Sequence, residues 1–164
     1  MEQIGLWLTQ TPVGELFYTF LMSMVPVVEL RGAIPLGVGL LGHESLPAVY
    51  LAAVLGNMLP VPFIIVYIRR IFQWLRQKSR RLDDLVARLE AKAHLKGRMV
   101  SRYKYLGLCV LVAIPLPGTG AWTGALVAAF LDMRLRKAVP VIFLGVLLAG
   151  LAVSALTLGV VAIL

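Results

Sequence analysis

The stretch VVELRGAIPLG, residues 27–37, sets Glu29 and Arg31 two positions apart inside otherwise apolar sequence. A charge at the centre of a bilayer costs roughly 2.5–3.5 kcal/mol on insertion scales, so such groups normally face a protein interior or a wet cavity and pair with something. Residues two apart do not face each other on a helix, but in an unwound segment both side chains reach one cavity. The chemistry on offer is anion binding. Arg31 supplies a guanidinium, and the N–H groups of Gly32 and Ala33 add donors where a following half-helix would begin. Glu29 would hold the guanidinium in place between substrates and could carry a proton. The plainer alternative is a structural ion pair that only locks the local fold.

A second set of candidates lies in PLPGTGAW, residues 115–122. Pro115 and Pro117 interrupt a helix, while Gly118, Thr119 and Gly120 offer backbone N–H groups and one hydroxyl to phosphate or carboxylate oxygens. The same Gly-Thr-Gly could be only the turn that a helical hairpin needs. Trp122 could stack on a ligand, or pack and anchor at a membrane interface. Asn57, beside Pro60 and Pro62, is expected to satisfy backbone groups that those prolines free, with ligand contact as the alternative. The candidate substrate-binding set is therefore Glu29, Arg31, Gly32, Asn57, Pro115, Gly118, Thr119, Gly120 and Trp122.

Enzyme chemistry is not expected. The chain has no nucleophile elbow, no Walker loop, no paired carboxylates at a workable spacing, and no CxxC or HExxH pattern. No catalytic residue, metal or cofactor is assigned, and proton or ion coupling stays open. The single cysteine, Cys109, lies in an apolar run and reads as a small buried hydrophobe.

The elements that position these residues follow from composition. The 164 residues are 60% hydrophobic and only 15% charged, with a mean hydropathy of +0.88. A soluble domain carries about 25% charged residues, so this chain is too apolar for water and belongs in lipid. The N-terminal residues contain no Lys or Arg through Phe17, which differs from the positive start of a signal peptide, and the first apolar segment is expected to stay in the mature protein. Charge is uneven: 12 of the 16 basic residues fall between Arg69 and Lys104, against Asp83, Asp84 and Glu90. Between membrane segments such a block reads as a cytoplasmic loop rather than a nucleic-acid surface.

Two apolar regions read as spans. Residues 47–68 and 139–164 carry no charge and would make helices of about 33 and 39 Å, against a hydrocarbon core of about 30 Å. Two others are broken. Residues 105–131 are interrupted at Pro115–Gly120, leaving arms of about 15–16 Å, half a bilayer each. Residues 16–42 repeat the pattern, with a break expected around ELRGAIP. The prediction is an all-α polytopic membrane protein of two inverted repeats, each a re-entrant helical hairpin plus a transmembrane helix. Residues 1–68 form the first repeat, 69–104 a basic cytoplasmic linker, and 105–164 the second. Inversion follows from the links after the hairpins: HES has no Lys or Arg, whereas DMRLRK has three, so the latter belongs on the cytoplasmic side. Within the linker, residues 79–95 have an apolar stripe at helical spacing, suited to the membrane surface or to a partner.

The blocks ELRGAIPLGVGLL, LAAVLGN and PLPGTGAWTGALVAAFLDM resemble the small multidrug export family of prokaryotic membrane proteins, over about residues 26–150. More distantly, the pattern is similar to DedA/VTT-type proteins, where a proline and a glutamate lie in a first re-entrant hairpin and a proline-rich second hairpin leads to a basic turn. Pro26 with Glu29, Pro115 with the following Ala/Gly-rich segment, and the span ending YIRR match those parts. The nearer resemblance implies a multi-pass protein of the prokaryotic inner membrane that exports amphiphilic drugs. The more distant one implies movement of a lipid-linked phosphate, such as undecaprenyl phosphate, between leaflets. The second hairpin here has no charge, so Arg31 would be the sole cation deep in the site. Expected partners are membrane lipids, the amphiphilic substrate and a second copy in a homodimer, with no nucleic acid. From another class, the alternative is a non-transporting scaffold or assembly protein that docks through its basic loop.

Overall fold

The computed structural model describes residues 11–78, 104–116, 118–131 and 133–163, with Asp84, Ala87 and Arg88 of the basic loop, and is helical with no strand among them. Those three loop residues are exposed, but the expected interfacial helix at 79–95 otherwise lies outside the described residues. The helices are α1 (Pro12–Met24), α2 (Glu29–Leu41), α3 (Leu46–Met58), α4 (Pro60–Lys78), α5 (Lys104–Ala113), α6 (Ala121–Phe130) and α7 (Leu135–Ile163). Two stretches are long and apolar enough to cross a membrane, His43–Ile68 and Leu135–Val160. The chain divides into two compact units, Met1–Leu59 with Val146–Leu164, and Pro60–Gly145.

In the first unit α1, α2 and α3 pack on one another. Thr11 caps α1 by accepting from the Gly14 N–H at 3.1 Å, and Pro12 fits the first turn, where no intrahelical donor is needed. α1 ends because Val25 precedes Pro26. The proline ring pushes the residue before it out of the helical region, and Val25 is extended at φ −72°, ψ 127°. A short link, Val25–Val28, then leads into α2. Small residues set the packing: a Cβ on Gly37 would meet Thr19 Oγ1 and Val49 Cγ1, both at 2.7 Å. A Cβ on Gly56 would collide with the carbonyl oxygen of Phe20, so α1 and α3 touch backbone to backbone there. The Tyr50 hydroxyl donates to the Leu147 carbonyl at 2.9 Å, fixing α3 against the C-terminal part of α7.

The break in this hairpin is displaced from its expected position. ELRGAIP is helical, and the chain turns four residues earlier, at Val25–Val28. Pro26 ends the helix, whereas Pro35 lies inside α2 on an exposed face, where it forfeits one intrahelical donor without stopping the helix.

In the second unit α6 packs against α4 and α5. Gly145, about three turns into α7, sits on α5: its Cβ would meet Val112 Cβ at 2.7 Å and the Cys109 carbonyl oxygen at 2.9 Å. Cys109 itself is only partly buried, not the fully enclosed thiol expected. The arms of the broken region match expectation, 10 residues in α5 and 10 in α6, or about 15 Å each. The final span starts at Leu135, earlier than the expected residue 139. The Arg134 carbonyl accepts from both Lys137 and Ala138 at 2.9 Å, which winds the basic link into the first turn of α7.

Candidate substrate site

The candidate residues fall in both units. Glu29, Arg31, Gly32 and Asn57 belong to the first, and Pro115, Gly118, Thr119, Gly120 and Trp122 to the second. Each group is described by itself.

Glu29 is the first residue of α2 and the one non-glycine residue with positive φ among those described, at 49°. A side chain there crowds the following carbonyl, at a cost of about 1–2 kcal/mol. Local hydrogen bonds hold the conformation: the Glu29 N–H donates to the Val25 carbonyl at 2.9 Å, and the Gly32 N–H donates to Val28 at 3.0 Å. The result is a carboxylate turned into the protein, 5% exposed. Arg31 Nη2 lies 3.9 Å from Glu29 Oε2, and its side chain is 21% exposed. That separation exceeds the about 2.7–2.9 Å of a tight charge-assisted hydrogen bond. The pair is an electrostatic contact rather than a tight charge-assisted hydrogen bond.

Two expectations for this region change. The Gly32 amide does not project as a donor, because Val28 takes it. Its glycine identity has a packing reason: a Cβ there would lie 2.6 Å from Val28 Cγ1. Asn57 does not satisfy freed backbone. It is 0% exposed, and neither Nδ2 nor Oδ1 makes a hydrogen bond.

The break in the second unit is closed from within. The Thr119 hydroxyl lies 2.7 Å from the carbonyls of both Ile114 and Leu116, and it accepts from the Leu116 N–H at 3.3 Å. The Thr119 N–H donates to Leu116 at 3.1 Å, and the Thr123 hydroxyl donates to Gly118 at 3.0 Å. Gly118 and Gly120 have φ of 76° and 126°, conformations that glycine adopts without a Cβ penalty. Pro115 is exposed at the tip, Trp122 is half-buried, and Pro117 lies outside the described residues.

Sequence reasoning named Pro26 only through the more distant resemblance, not as the helix stop, and missed Ser23. Pro26 was legible, being the proline nearest the end of the first apolar arm. Ser23 was not: its hydroxyl donates to the Ala53 carbonyl at 2.6 Å, a contact between helices that local pattern does not reveal.

The family described as "Putative small multi-drug export protein" matches residues 29–152 of this chain. The chain belongs to that family. The match opens on Glu29 itself and contains every candidate residue named above. With two helices long and apolar enough to cross a bilayer, this family member is a membrane protein. No curated protein and no solved structure matches the chain.

Proposed function

We propose that this protein is a membrane transporter that moves an amphiphilic anion, of the lipid-linked phosphate class, across or between leaflets. The observation that carries the reading is Glu29: a buried carboxylate in left-handed backbone, at a helix start, beside a partly exposed guanidinium. Strain of this kind persists where surrounding structure enforces it, and it clusters at ligand sites. Arg31 would take the anionic headgroup, and Glu29 would return the guanidinium to a neutral pair once substrate leaves.

Each hairpin is proposed to be re-entrant, with the two entering from opposite faces. Helices of 13 residues in α1 and α2, and of 10 in α5 and α6, reach about 20 and 15 Å, short of a hydrocarbon core of about 30 Å. The hairpin tips are apolar and exposed, at Val25 and Val27 in one and at Ile114 and Leu116 in the other. Their open ends are polar, with His43 and Glu44 in the first and with Arg134, Arg136 and Lys137 in the second. A tip of that kind suits hydrocarbon or protein interior better than water. Opposite entry rests on the charge asymmetry of the two links. Engineered cysteines at His43 and Leu135, in a Cys109→Ser background, are expected to label from opposite sides of intact membrane, and labelling from one side refutes the inversion. Leu135 is chosen because neighbouring Met133 is buried.

A second reading, export of amphiphilic drugs, is favoured by the family's description. A cationic drug would pair with Glu29 rather than Arg31. Proteoliposomes offered a labelled polyprenyl phosphate and, separately, a cationic dye decide between them. Flux of the phosphate alone supports the first reading and flux of the dye alone the second. Flux of neither leaves the scaffold alternative.

A further inference from the structure

Several buried or half-buried hydroxyls of the first unit are matched by backbone carbonyls. Thr19 bonds back to the Glu15 carbonyl and Thr157 to that of Val153, both at 2.8 Å, and Ser23 reaches Ala53 at 2.6 Å. Asn57 and Ser154 depart from that pattern, with Asn57 Nδ2, Asn57 Oδ1 and Ser154 Oγ buried and unbonded. Ser154 has a local remedy, since a helical serine can rotate its hydroxyl to the carbonyl four residues back, as Thr157 does. Asn57 has none of that kind. A carboxamide carries two donors and an acceptor, and back-bonding would leave the acceptor unmet. A buried unmet group costs about 1–3 kcal/mol, which a hydrophobe of similar size would avoid.

The position of Asn57 is specific. It follows Gly56, where the backbones of α1 and α3 touch, and it lies one turn beyond Ala53, whose carbonyl binds Ser23. Ser23 is in the last turn of α1, immediately before the Val25–Val28 link that ends at Glu29. The amide is thus fully buried, one residue from the α1–α3 backbone contact. Complementarity then selects its ligand. A cation would satisfy Oδ1 and leave the N–H groups unmet, and an anion would do the reverse. A hydroxyl donates and accepts at once, and satisfies both ends.

We propose that Asn57 binds a hydroxyl group, from water or from the substrate, admitted when α1 and α3 ease apart at Gly56. The site holds whether or not Arg31 binds an anion, and its test needs no flux. Asn57 is the chain's only asparagine, so ¹⁵N-asparagine labels one residue, with its backbone amide as an internal control. The full-length protein is placed in phosphatidylcholine bilayers, whose lipids carry no hydroxyl, and transferred to deuterated water with and without added polyprenyl phosphate. The side-chain amide is expected to exchange at least about tenfold faster than the Asn57 backbone amide, which local opening rather than global unfolding would produce. Fast exchange without the phosphate identifies water as the source, and fast exchange only with it identifies the substrate's acidic hydroxyl. Equal protection of both amides in both samples overturns the proposal.

Discussion

The two breaks solve one problem in opposite ways. At Ile114–Gly120 the backbone turns on two glycines with positive φ, and Thr119 binds the carbonyls that the turn exposes. The arrangement is self-contained and nearly strainless, as a structural turn should be. At Val25–Glu29 no glycine is present, and the left-handed position falls to a buried glutamate. Glycine there would relieve the strain at once. Glycine at one break and a strained, buried carboxylate at the other is the contrast on which the proposed role of Glu29 rests. The proposed substrate chemistry centres on the first break, where that strain lies.

That contrast can be attacked from either side. Gly120→Ala should be the most damaging to stability, lowering it by about 2–3 kcal/mol through forced left-handed backbone at a buried position. Thermal unfolding in detergent reads this, and an unchanged midpoint would mean the turn is not rigid. Thr119→Val should lose about 1–2 kcal/mol by stripping carbonyls of their partner, while Thr119→Ser keeps most of it. If Thr119→Val instead abolishes flux at full stability, the second break is a binding site after all. Smallest is the comparison of Glu29→Gly with Glu29→Gln. Both remove the charge, but the glycine variant should be more stable by about 0.5–1 kcal/mol, the backbone strain relieved less glycine's entropic cost. Equal stabilities would remove the strain argument.

Much of the architecture could be read in advance because hydrophobic length and proline act locally. The arms on either side of Pro115–Gly120, and the long apolar stretches ending near Ile68 and Val160, follow from such signals. The first break was misplaced because charge and proline together looked like a helix stop. Pro35 is tolerated on an exposed helical face, and Pro26 ends α1 through Val25. What stayed hidden depends on contacts distant in sequence or on conformations atypical of the residue. The burial of an unbonded Asn57 amide depends on tertiary packing, and a left-handed glutamate leaves no mark in composition.

The most direct measurement is uptake of labelled polyprenyl phosphate into proteoliposomes by the wild-type protein, Arg31→Ala and Arg31→Lys, with folding checked in parallel. Arg31→Ala is expected to reduce flux to the protein-free background while remaining folded, with Arg31→Lys in between. Undiminished flux through a folded Arg31→Ala variant would contradict the account and leave Glu29 and Arg31 as a structural ion pair.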